Sequence, residues 1–564
     1  MNLYGGTAML RINGKKSAAA AATLLLGAMS MVACSSKEET APSATGQGAT
    51  EKPKPTITVS AYERGRVPAE EGTMEKNRWT DWINANGPVN VKYVLVPRNE
   101  SAQKFNTLFA SNTAPDIINE YDTNYRNKLY DQKQIQPIDE LIEKYSTDYK
   151  QLMEQYPTLR KVGTKPDGKL YETGRLQNTG ALYAVIIRAD WLEKLNLSVP
   201  QTPEELLEVA KAFTFNDPDG NGKKDTFGIS LSSFSGVTID NMFGNVGFVL
   251  ENDTISWNWD RFKAAMSFKK QLFDQGVVDK DFLTDKNGEK AKKDWLAGKL
   301  GIYTMQHAYN DAGYTNYETL KSNVPTAKIL TLPLPKTQFG QFSMELGNPV
   351  QMTTVINIKA KDPEAAIKFI DFMSRKDTML TLRNGLEGVH HTLDDNGCAI
   401  PIDAEKNTKE LGYTGDYWMM SSTSFEGKCS SLETKLKPDT QNKKDYLEFF
   451  KNKTVYESPD RPYPAFALSE HMPTLPTELQ TISNDLRGAK LDEGKLGEAV
   501  TKAIVSGSSY SVDQAMADAK SAWDKLNGKK LEEFYAKWYA ENKEHAFLTK
   551  DVYQILADSK KNQK

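Results

Sequence analysis

The chain has 564 residues, of which 71 are basic and 74 acidic, so its formal charge is -3. This acidic balance excludes a nucleic acid as an expected partner, because binding to phosphates requires a basic surface. With 39% hydrophobic and 26% charged residues, the composition is that of an ordinary soluble protein, and the length predicts two domains or lobes rather than a single hydrophobic core.

The first 33 residues predict an export signal. Arg11, Lys15 and Lys16 precede the apolar run 17–33, an order that is typical of a cleaved signal peptide. A retained transmembrane helix is the weaker interpretation, because the run is shorter than the roughly 20 residues that span a bilayer. Removal of three basic residues and no acidic residue would change the formal charge from -3 to -6.

Cys34 follows this run directly. The residues Met31-Val32-Ala33 before it resemble the bacterial lipobox, in which the cysteine is lipidated, here with palmitate, and becomes the mature N-terminus. Residues 34–55 contain no aromatic residue and no Val, Leu or Ile, so they bury too little apolar surface to fold. We therefore expect a flexible linker that holds the protein at the extracellular face of the membrane by a lipid anchor.

From residue 56 onward, strand-like runs alternate with amphipathic helices, which predicts an α/β protein. The predicted strands are 56–61, 91–96, 114–118, 184–188, 300–305, 329–334 and 350–358, and the predicted helices are 78–84, 101–111, 203–213 and 363–373. Apolar residues at helical spacing also predict a helical C-terminal region from Leu496 to Glu541. Cys398 and Cys429 are equally compatible with one disulfide and with two free thiols.

Several segments carry a family resemblance. They are APDII at 114–118, PDGKLYE at 166–172, ALYAVIIRADWLEKLNLSVPQTPEEL at 181–206, AGKLGIYT at 297–304, LPLP at 332–335, KDPEAAIKFIDFMS at 361–374 and YERGRVPAEEGTMEKNRWTDWI at 62–83. In this order, and behind a lipobox-like motif, they resemble the extracellular solute-binding lipoproteins of bacterial ABC sugar importers (family 1), in particular the LplA-like branch common in Gram-positive bacteria.

The resemblance implies a periplasmic-binding-protein-like (Venus flytrap) fold, in which two discontinuous α/β lobes close around a ligand. The lobes would comprise residues 56–175 and 351–450 for the first lobe, and 176–350 and the helical 451–564 for the second. A monomeric, membrane-anchored protein of this kind captures a carbohydrate, here an oligosaccharide, and delivers it to ABC permease subunits. A peptide or another small solute is the alternative ligand.

Residues 215–228 (FNDPDGNGKKDTFG) resemble the start of an EF-hand calcium loop. Oxygen ligands stand at loop positions 1, 3, 5, 7 and 9, contributed by Asp217, Asp219, Asn221, the carbonyl of Lys223, and Asp225. The bidentate Glu of position 12 is missing, because Gly228 occupies that place. We therefore predict a structural Ca²⁺ ion, with an ion-free Asx turn as the alternative.

Aromatic and polar residues in loops at the lobe edges are the candidates for sugar binding. By resemblance these are Tyr62, Glu63 and Arg64 after the first strand, Tyr121 and Asp122 after APDII, and Gln306 and His307 after LGIYTM. Asp122 aligns with a ligand-contacting acid in maltose-binding relatives. Trp257, Trp259 and Trp418 are further candidates, and packing in a core is the alternative for each aromatic ring.

Two other function classes stay open at this point. A secreted, lipid-anchored glycoside hydrolase would need two carboxylates, which a chain rich in acids cannot exclude. The sequence contains neither HExxH nor GxSxG, so zinc peptidases and serine hydrolases of those types are disfavoured, and His390-His391 is better explained by packing than by metal binding. A surface receptor would share the anchor and the linker.

Overall fold

The computed structural model describes residues 53–487 and 493–562. From Lys54 onward these residues form one compact unit. The predicted signal peptide, Cys34 and nearly all of the predicted linker lie outside the described residues. None of the described helices is both long enough and apolar enough to cross a membrane.

The strands are short and are distributed along the chain. They are β1 (Thr56–Glu63), β2 (Asn90–Pro97), β3 (Ile117–Asn119), β4 (Glu172–Leu176), β5 (Tyr183–Arg188), β6 (Phe227–Ile229), β7 (Phe248–Glu251), β8 (Thr254–Trp257), β9 (Leu300–Gln306), β10 (Ile329–Thr331), β11 (Val350–Ile356), β12 (His391–Leu393) and β13 (Ala399–Pro401).

The α-helices surround these strands and make up most of the second half of the chain. They are α1 (Arg78–Asn86), α2 (Ser101–Ala110), α3 (Thr123–Asp131), α4 (Asp139–Tyr145), α5 (Asp148–Gln155), α6 (Thr158–Gly163), α7 (Ala189–Leu195), α8 (Pro203–Phe215), α9 (Phe234–Met242), α10 (Trp259–Asp274), α11 (Glu289–Leu296), α12 (Asp311–Asn323), α13 (Pro363–Met373), α14 (Lys376–Asn384), α15 (Ala404–Leu411), α16 (Leu432–Lys435), α17 (Gln441–Lys451), α18 (Thr477–Arg487), α19 (Gly494–Val505), α20 (Val512–Lys525), α21 (Lys529–Asn542) and α22 (Thr549–Asn562).

The first sheet has the strand order β2-β1-β3-β11-β4. β1 is parallel to β2 and β3, whereas β11 is antiparallel to β3 and β4. Alternate residues of β1, namely Ile57, Val59 and Ala61, are buried in the core that also contains the apolar face of α13. Because β1, β3 and β4 run in the same direction, their carboxyl ends lie at one edge of this sheet.

The second sheet has the order β10-β5-β9-β6, with β5 antiparallel to β9 and β10 and with β6 parallel to β9. Its core is built by Val185, Ile187 and Ile302 with the apolar faces of α8 and α10. The carboxyl ends of β6 and β9 lie at the same edge as the start of β5, because β5 runs in the opposite direction.

Two segments connect these edges and run side by side. Residues 177–182 join β4 to β5, and residues 346–349 precede β11. The Gln177 N–H donates to the Pro349 carbonyl, and the Gly347 N–H donates to the Gly180 carbonyl, each at 2.9 Å. The two edges therefore face each other across these two connecting segments, an arrangement typical of a hinge between lobes.

The chain crosses between the sheets a third time. Tyr413, Tyr417 and Met420 belong to the core of the first sheet, whereas Leu432 and Tyr446 belong to a core built on the outer side of the second sheet. We therefore propose residues 423–431 as this crossing, earlier than the boundary near residue 450 that the sequence led us to expect. The apolar face of α17 packs against β10 and α12, so this part of the chain lies with the second sheet.

The C-terminal helices form a further core with the β7–β8 hairpin. Phe248 and Trp257 of this hairpin pack against Trp523 and Tyr535 from α20 and α21. A disulfide joins Cys398 to Cys429, so the alternative of two free thiols is wrong for this structure. The disulfide ties the β12–β13 hairpin to the third crossing.

Candidate functional site

The carboxyl edge of the first sheet carries a stack of rings and guanidinium groups. Tyr62 ends β1, Arg98 follows β2, Tyr121 follows β3, and Arg175 lies near the end of β4. The guanidinium carbon of Arg98 lies 4.7 Å from the ring centre of Tyr62 and 5.5 Å from that of Tyr121. The guanidinium carbon of Arg175 lies 5.5 Å from the ring centre of Tyr121 and 5.9 Å from that of Trp418. Arg383 contacts the other side of this set, with its guanidinium carbon 5.4 Å from the ring centre of Trp418. These are cation–π distances, so arginines and rings alternate along this edge.

Arg64 is held beside this stack by an acid. Its Nε donates to both carboxylate oxygens of Asp416, at 3.0 and 2.8 Å. Burial raises the pKa of the Asp416 carboxyl, and Arg64 opposes that rise. Arg383 is likewise paired, with its Nε 2.5 Å from Glu426.

Tyr62 supports the site from beneath. It is 1% exposed, and its hydroxyl donates to Glu120 Oε1 at 2.6 Å while it accepts from the Tyr121 N–H at 3.1 Å. Its ring is therefore covered, and the interpretation of Tyr62 as a direct sugar contact has no exposed surface to support it. The other oxygen of this buried carboxylate, Glu120 Oε2, has no hydrogen-bond partner among the described residues.

A cavity of about 790 Å³ lies between the first sheet and the C-terminal helices. Its aromatic lining consists of Tyr121, Tyr130, Phe534, Trp538 and Phe547, and its amide lining of Asn127, Asn348, Gln351 and Asn542. The volume and the combination of rings and amides suit a small-molecule or oligosaccharide site. Tyr121 and Gln351 also contact Arg175, so these two residues separate the cavity from the arginine stack, whose arginines do not line the cavity.

A buried ionic cluster forms one wall of the cavity. Glu172 accepts from Lys165 Nζ at 2.5 Å and from Arg126 Nε at 3.2 Å. Burial alone would raise the pKa of Glu172, but Arg126 and Lys165 outweigh that effect and hold its pKa below the ordinary value. The carboxylate therefore stays charged and keeps this wall rigid.

The edge of the second sheet presents the residues predicted after β9. Gln306 and His307 are exposed, and His307 adopts a left-handed backbone conformation (φ 57°) in which its N–H donates to the Leu182 carbonyl at 2.9 Å. Gln306 pairs with Tyr183 across β5 and β9, and the ring of Tyr183 lies 5.1 Å from that of Phe234. These groups line the side of the hinge opposite to the arginine stack.

Two of the predicted polar residues accept hydrogen bonds from N–H groups of the neighbouring backbone. Asp122 begins α3 as its N-cap, with Oδ1 accepting from the Asn124 N–H at 2.9 Å, and it is exposed. Glu63 Oε1 accepts from the Gly65 N–H at 2.5 Å. Both residues lie at the carboxyl edge of the first sheet, so the structure places them near the site, although each already has a local role.

Trp257 lies in the helical core, and the half-buried Trp259 packs against it. The ring of Trp257 is 5.0 Å from that of Trp523 and 5.4 Å from that of Phe248, and the ring of Trp259 is 5.5 Å from that of Trp523. The packing alternative therefore describes these two tryptophans, because their ring faces contact other rings. Trp418 differs, since it is half-buried and its neighbours are Arg175 and Arg383.

Four aromatic residues of the cavity lining were not among the candidates from the sequence, namely Tyr130, Phe534, Trp538 and Phe547. On α21, Leu531, Tyr535 and Tyr539 repeat at a spacing of four and are buried. Phe534 and Trp538 also stand four residues apart, on an adjacent face that borders the cavity. Both rings also pack against the helical core, so core packing alone accounts for their spacing in the sequence.

The acidic loop after α8 folds around Asn221. The Asn221 Nδ2 donates to Asp219 Oδ2 at 2.7 Å and to Asp225 Oδ1 at 3.2 Å, and its N–H donates to Asp217 Oδ1 at 3.0 Å. Desolvation within the loop and the neighbouring carboxylates raise the pKa of Asp219. A hydrogen bond from Lys299 lowers the pKa of Asp225.

These carboxylates are bridged by an amide rather than gathered around one point. Across the part of the chain that the structure describes, no three His, Cys, Asp or Glu side chains are placed to hold a metal ion. The Lys223 N–H donates to Asn221 Oδ1 at 2.7 Å, which completes a turn of the Asx type. Besides desolvation, the charges of Asp217 and Asp225 raise the pKa of Asp219, and a divalent cation would relieve that repulsion.

Comparison with known proteins shows which family has this architecture. The family model of the bacterial extracellular solute-binding protein matches residues 73–379, more than half of the chain. Lipoprotein LipO of Bacillus subtilis (strain 168) is 25% identical over 546 residues, which cover 92% of this chain and 98% of LipO. The polygalacturonan/rhamnogalacturonan-binding protein YtcQ of the same organism is 29% identical over 261 residues, or 42% of this chain and 50% of YtcQ.

Solved structures share the fold. An extracellular solute-binding protein from Bifidobacterium longum subsp. infantis aligns with a TM-score of 0.67 at 18% identity, covering 88% of this chain and 99% of that one. The EF-hand mutant of Streptococcus pneumoniae FusA in complex with fructo-nystose aligns with a TM-score of 0.59 at 20% identity, covering 86% and 99%. The two-lobed α/β fold expected from the sequence is thus confirmed, and the chain belongs to the family of bacterial extracellular solute-binding proteins.

Proposed function

We propose that this protein captures an oligosaccharide outside the cell and passes it unchanged to the permease of an ABC importer. The observation that carries this proposal is the cavity of about 790 Å³, which is lined by aromatic rings and side-chain amides and is continuous with the hinge-side edge of the first sheet. Rings cover the C–H faces of sugars, and amides exchange hydrogen bonds with their hydroxyls. Relatives add support, because YtcQ is named for binding polysaccharides.

Substitution of a cavity ring tests the proposal. Trp538→Ala should weaken oligosaccharide binding about tenfold, or about 1.4 kcal/mol, because a stacking surface is lost. Isothermal titration calorimetry of the full chain with a panel of plant and fructan oligosaccharides measures the effect. Phe215→Ala removes a ring that is 57% exposed and lies outside the cavity, so it serves as the matched control. Equal affinity in parent and Trp538→Ala would place the sugar elsewhere.

The glycoside hydrolase alternative makes a different prediction. A binding protein should return the sugar intact, whereas a hydrolase would shorten it. Chromatography of a bound oligosaccharide after prolonged incubation with purified protein separates the two, and smaller products in proportion to protein concentration would support the enzyme. Purification of the protein together with two permease subunits would support a role in transport over a role as a surface receptor.

We further propose that the mature protein is a monomer anchored through lipidated Cys34, on the extracellular face of a Gram-positive type of membrane. The lipobox-like residues before Cys34 support this, as does the similarity to a protein named as a lipoprotein. Cys34→Ser should move the protein from the membrane fraction to the medium without lowering its melting temperature. Retained palmitate labelling in that variant would contradict the anchor.

Finally, we propose that Asp217, Asp219, Asn221, Asp225 and the carbonyl of Lys223 bind one structural Ca²⁺ ion. The alternating oxygen-bearing residues and the mutual repulsion of the loop carboxylates support this. One of the solved FusA structures is that of an EF-hand mutant, which adds support from a protein of the same fold. Carboxylate and amide oxygens are the ligands that Ca²⁺ prefers.

A further inference from the structure

The third crossing between the sheets is fixed at its middle by a covalent bond. Phe425 packs against the core of the first sheet, whereas Leu432 belongs to the core on the outer side of the second sheet. The chain therefore passes from one lobe to the other within residues 426–431. Cys429 lies in this passage, and its disulfide partner is Cys398, directly before β13 in the β12–β13 hairpin.

The hairpin that carries Cys398 is itself fixed to the first lobe at its base. His390, directly before β12, is buried, its Nε2 lies 2.9 Å from Glu410 Oε2, and its ring centre lies 5.7 Å from that of Trp79 on α1. The Asn407 Nδ2 donates to the His390 carbonyl at 2.9 Å. The disulfide therefore attaches the crossing to a supported part of the first lobe.

Gly427 provides a pivot just before Cys429. It has φ 52° and ψ -127°, a backbone conformation that favours glycine, and it interrupts the short 3-10 helix Thr423–Ser430. A Cβ atom at this position would meet no heavy atom within 4 Å, so the glycine serves the bend of the backbone rather than a close contact. With the disulfide closed, the chain is fixed on both sides of this bend, whereas without it the free part of the crossing extends back to Gly427.

The crossing also contacts the first connection between the lobes. Ser430 Oγ accepts from Asn178 Nδ2 at 2.7 Å, and Ser422 Oγ accepts from the Leu176 N–H at 3.1 Å. Residues 177–182 join the two sheets, so they bend when the lobes move. The position of Cys429 is therefore linked to that of the hinge.

We propose that the Cys398–Cys429 disulfide is a redox-controlled lock on the hinge, opened by a dithiol of the Cys-X-X-Cys class. Cys398 is buried and Cys429 is half-buried, so a thiolate of the dithiol attacks the sulfur of Cys429. A mixed disulfide forms, and the sulfur of Cys398 leaves as a thiolate that takes up a proton. The second thiol of the reductant then displaces Cys429, so the protein gains two electrons and two protons while the reductant becomes a disulfide.

The opened lock changes what closure costs. The longer free crossing adopts more conformations in the open form, and closure around a ligand must restrict them, so reduction lowers the affinity for the ligand. The oxidised protein thus holds its ligand more tightly than the reduced protein. This inference rests on the assignment of the third crossing, and its link to ligand capture rests on the proposed function.

The test compares the full chain before and after treatment with dithiothreitol, beside the double variant Cys398→Ser with Cys429→Ser. Thiol titration should count two more thiols per chain after treatment of the parent. Amide hydrogen exchange at residues 427–431 should become about tenfold faster. The radius of gyration of the ligand-free protein should rise in small-angle scattering, and the oligosaccharide panel should bind several-fold more weakly to the treated chain and to the double variant.

Lys428→Ala is the matched control, because it changes an exposed side chain of the same segment and leaves the disulfide in place. It should match the parent before and after treatment, and dithiothreitol should not alter the double variant. If the double variant fails to fold, the treated parent carries the test. Unchanged exchange at residues 427–431 after reduction, or a disulfide that dithiothreitol does not open in the folded chain, would overturn the lock. If no oligosaccharide binds to any form, the proposed function fails, while exchange and scattering still decide the lock.

Discussion

Glu345 is a partly buried acid at the point where the chain returns toward the first sheet. It precedes the crossing segment 346–349, close to Tyr183 and Tyr463, and Glu470 is the nearest acid that influences it. Burial, followed by the repulsion from Glu470, raises the pKa of Glu345 to about 7. This carboxyl is therefore protonated in the folded protein under mildly acidic conditions.

The raised pKa predicts a stability that depends on pH. Between pH 4.5 and about 7 the folded protein keeps a proton that the unfolded chain releases, so the free energy of unfolding falls as the pH rises through this window and levels off above it. Ionisation of the buried group costs up to about 3 kcal/mol. Glu345→Gln should remove this fall, so that the variant melts above the parent at pH 8 and close to it at pH 5.

Thermal melts of parent and variant over this pH range check the prediction. The control is Glu478→Gln, which removes an exposed acid paired with Lys530. The melting temperature of this control should depend on pH in the same way as that of the parent. Parallel curves for parent and Glu345→Gln would mean that water or a local rearrangement keeps Glu345 charged at no cost.

The sequence predicted individual site residues only where a pattern marks them. Tyr121 lines the cavity and Trp418 contacts Arg175, but a ligand contact of either residue stays a prediction. Trp257 has the same side chain but packs in the helical core, because the β7–β8 hairpin brings it against Trp523. Arg175 was missed, since nothing in a strand pattern shows that an arginine will be buried without an acid.

At the level of elements the predictions were more accurate. The predicted helix 363–373 has the observed bounds of α13, and the predicted strands 91–96 and 350–358 differ from β2 and β11 by no more than two residues at either end. These segments bury one clear apolar face, so their period alone indicates the element. The run 329–334 is a strand only to Thr331, because the prolines of the LPLP segment cannot donate to the sheet.

Elements in which apolar residues do not repeat at a regular spacing were not predicted. The hairpins β7–β8 and β12–β13 have strands of three or four residues, and the latter is held by the disulfide to Cys429. Their existence depends on long-range contacts that no local pattern contains. For the same reason the sequence alone gives no sharp position for the third crossing, and the boundary of the lobes in this half of the chain stays a prediction.

The loop after α8 gives a prediction at this scale. If it binds Ca²⁺, the ion should raise the melting temperature, and at 100 times its dissociation constant it should add about 2.7 kcal/mol to the free energy of unfolding. Asp219→Asn removes one carboxylate from the middle of the ligand set. It should abolish the stabilisation by Ca²⁺ while leaving the stability in EDTA at or above that of the parent, because repulsion within the loop is relieved.

Differential scanning calorimetry with Ca²⁺ and with EDTA measures both effects. Asp524→Asn, an exposed acid on α20, is the control and should respond to Ca²⁺ like the parent. A parent that melts at one temperature in both buffers would show that Asn221 already satisfies the loop without a metal ion.

For the molecule as a whole, covalent connections between the two sheets and side-chain contacts across the cavity both hold the first lobe in place. The two sheets are joined by residues 177–182, 346–349 and 423–431, whereas across the cavity few polar contacts hold the first lobe to the C-terminal region. Examples are the hydrogen bond from Asn127 to Thr474 at 2.6 Å and the ion pair of Lys161 with Asp551 at 3.3 Å. A ligand that contacts both walls of the cavity would add to these contacts and favour closure.

Closure leads to the last prediction. Because a ligand that touches both walls binds the closed form more tightly than the open form, a saturating oligosaccharide should shift the population toward a more compact form. The radius of gyration measured by small-angle scattering should then fall. Asn127→Ala combined with Lys161→Ala should raise the radius of the free protein, since contacts across the cavity are lost, and should weaken binding several-fold because closure then costs more. Asn86→Ala combined with Lys368→Ala changes the same residue types on exposed surfaces of the first lobe and should alter neither quantity. Tight binding with an unchanged radius in the parent would show a preformed site, in which the permease recognises something other than the closure of the lobes.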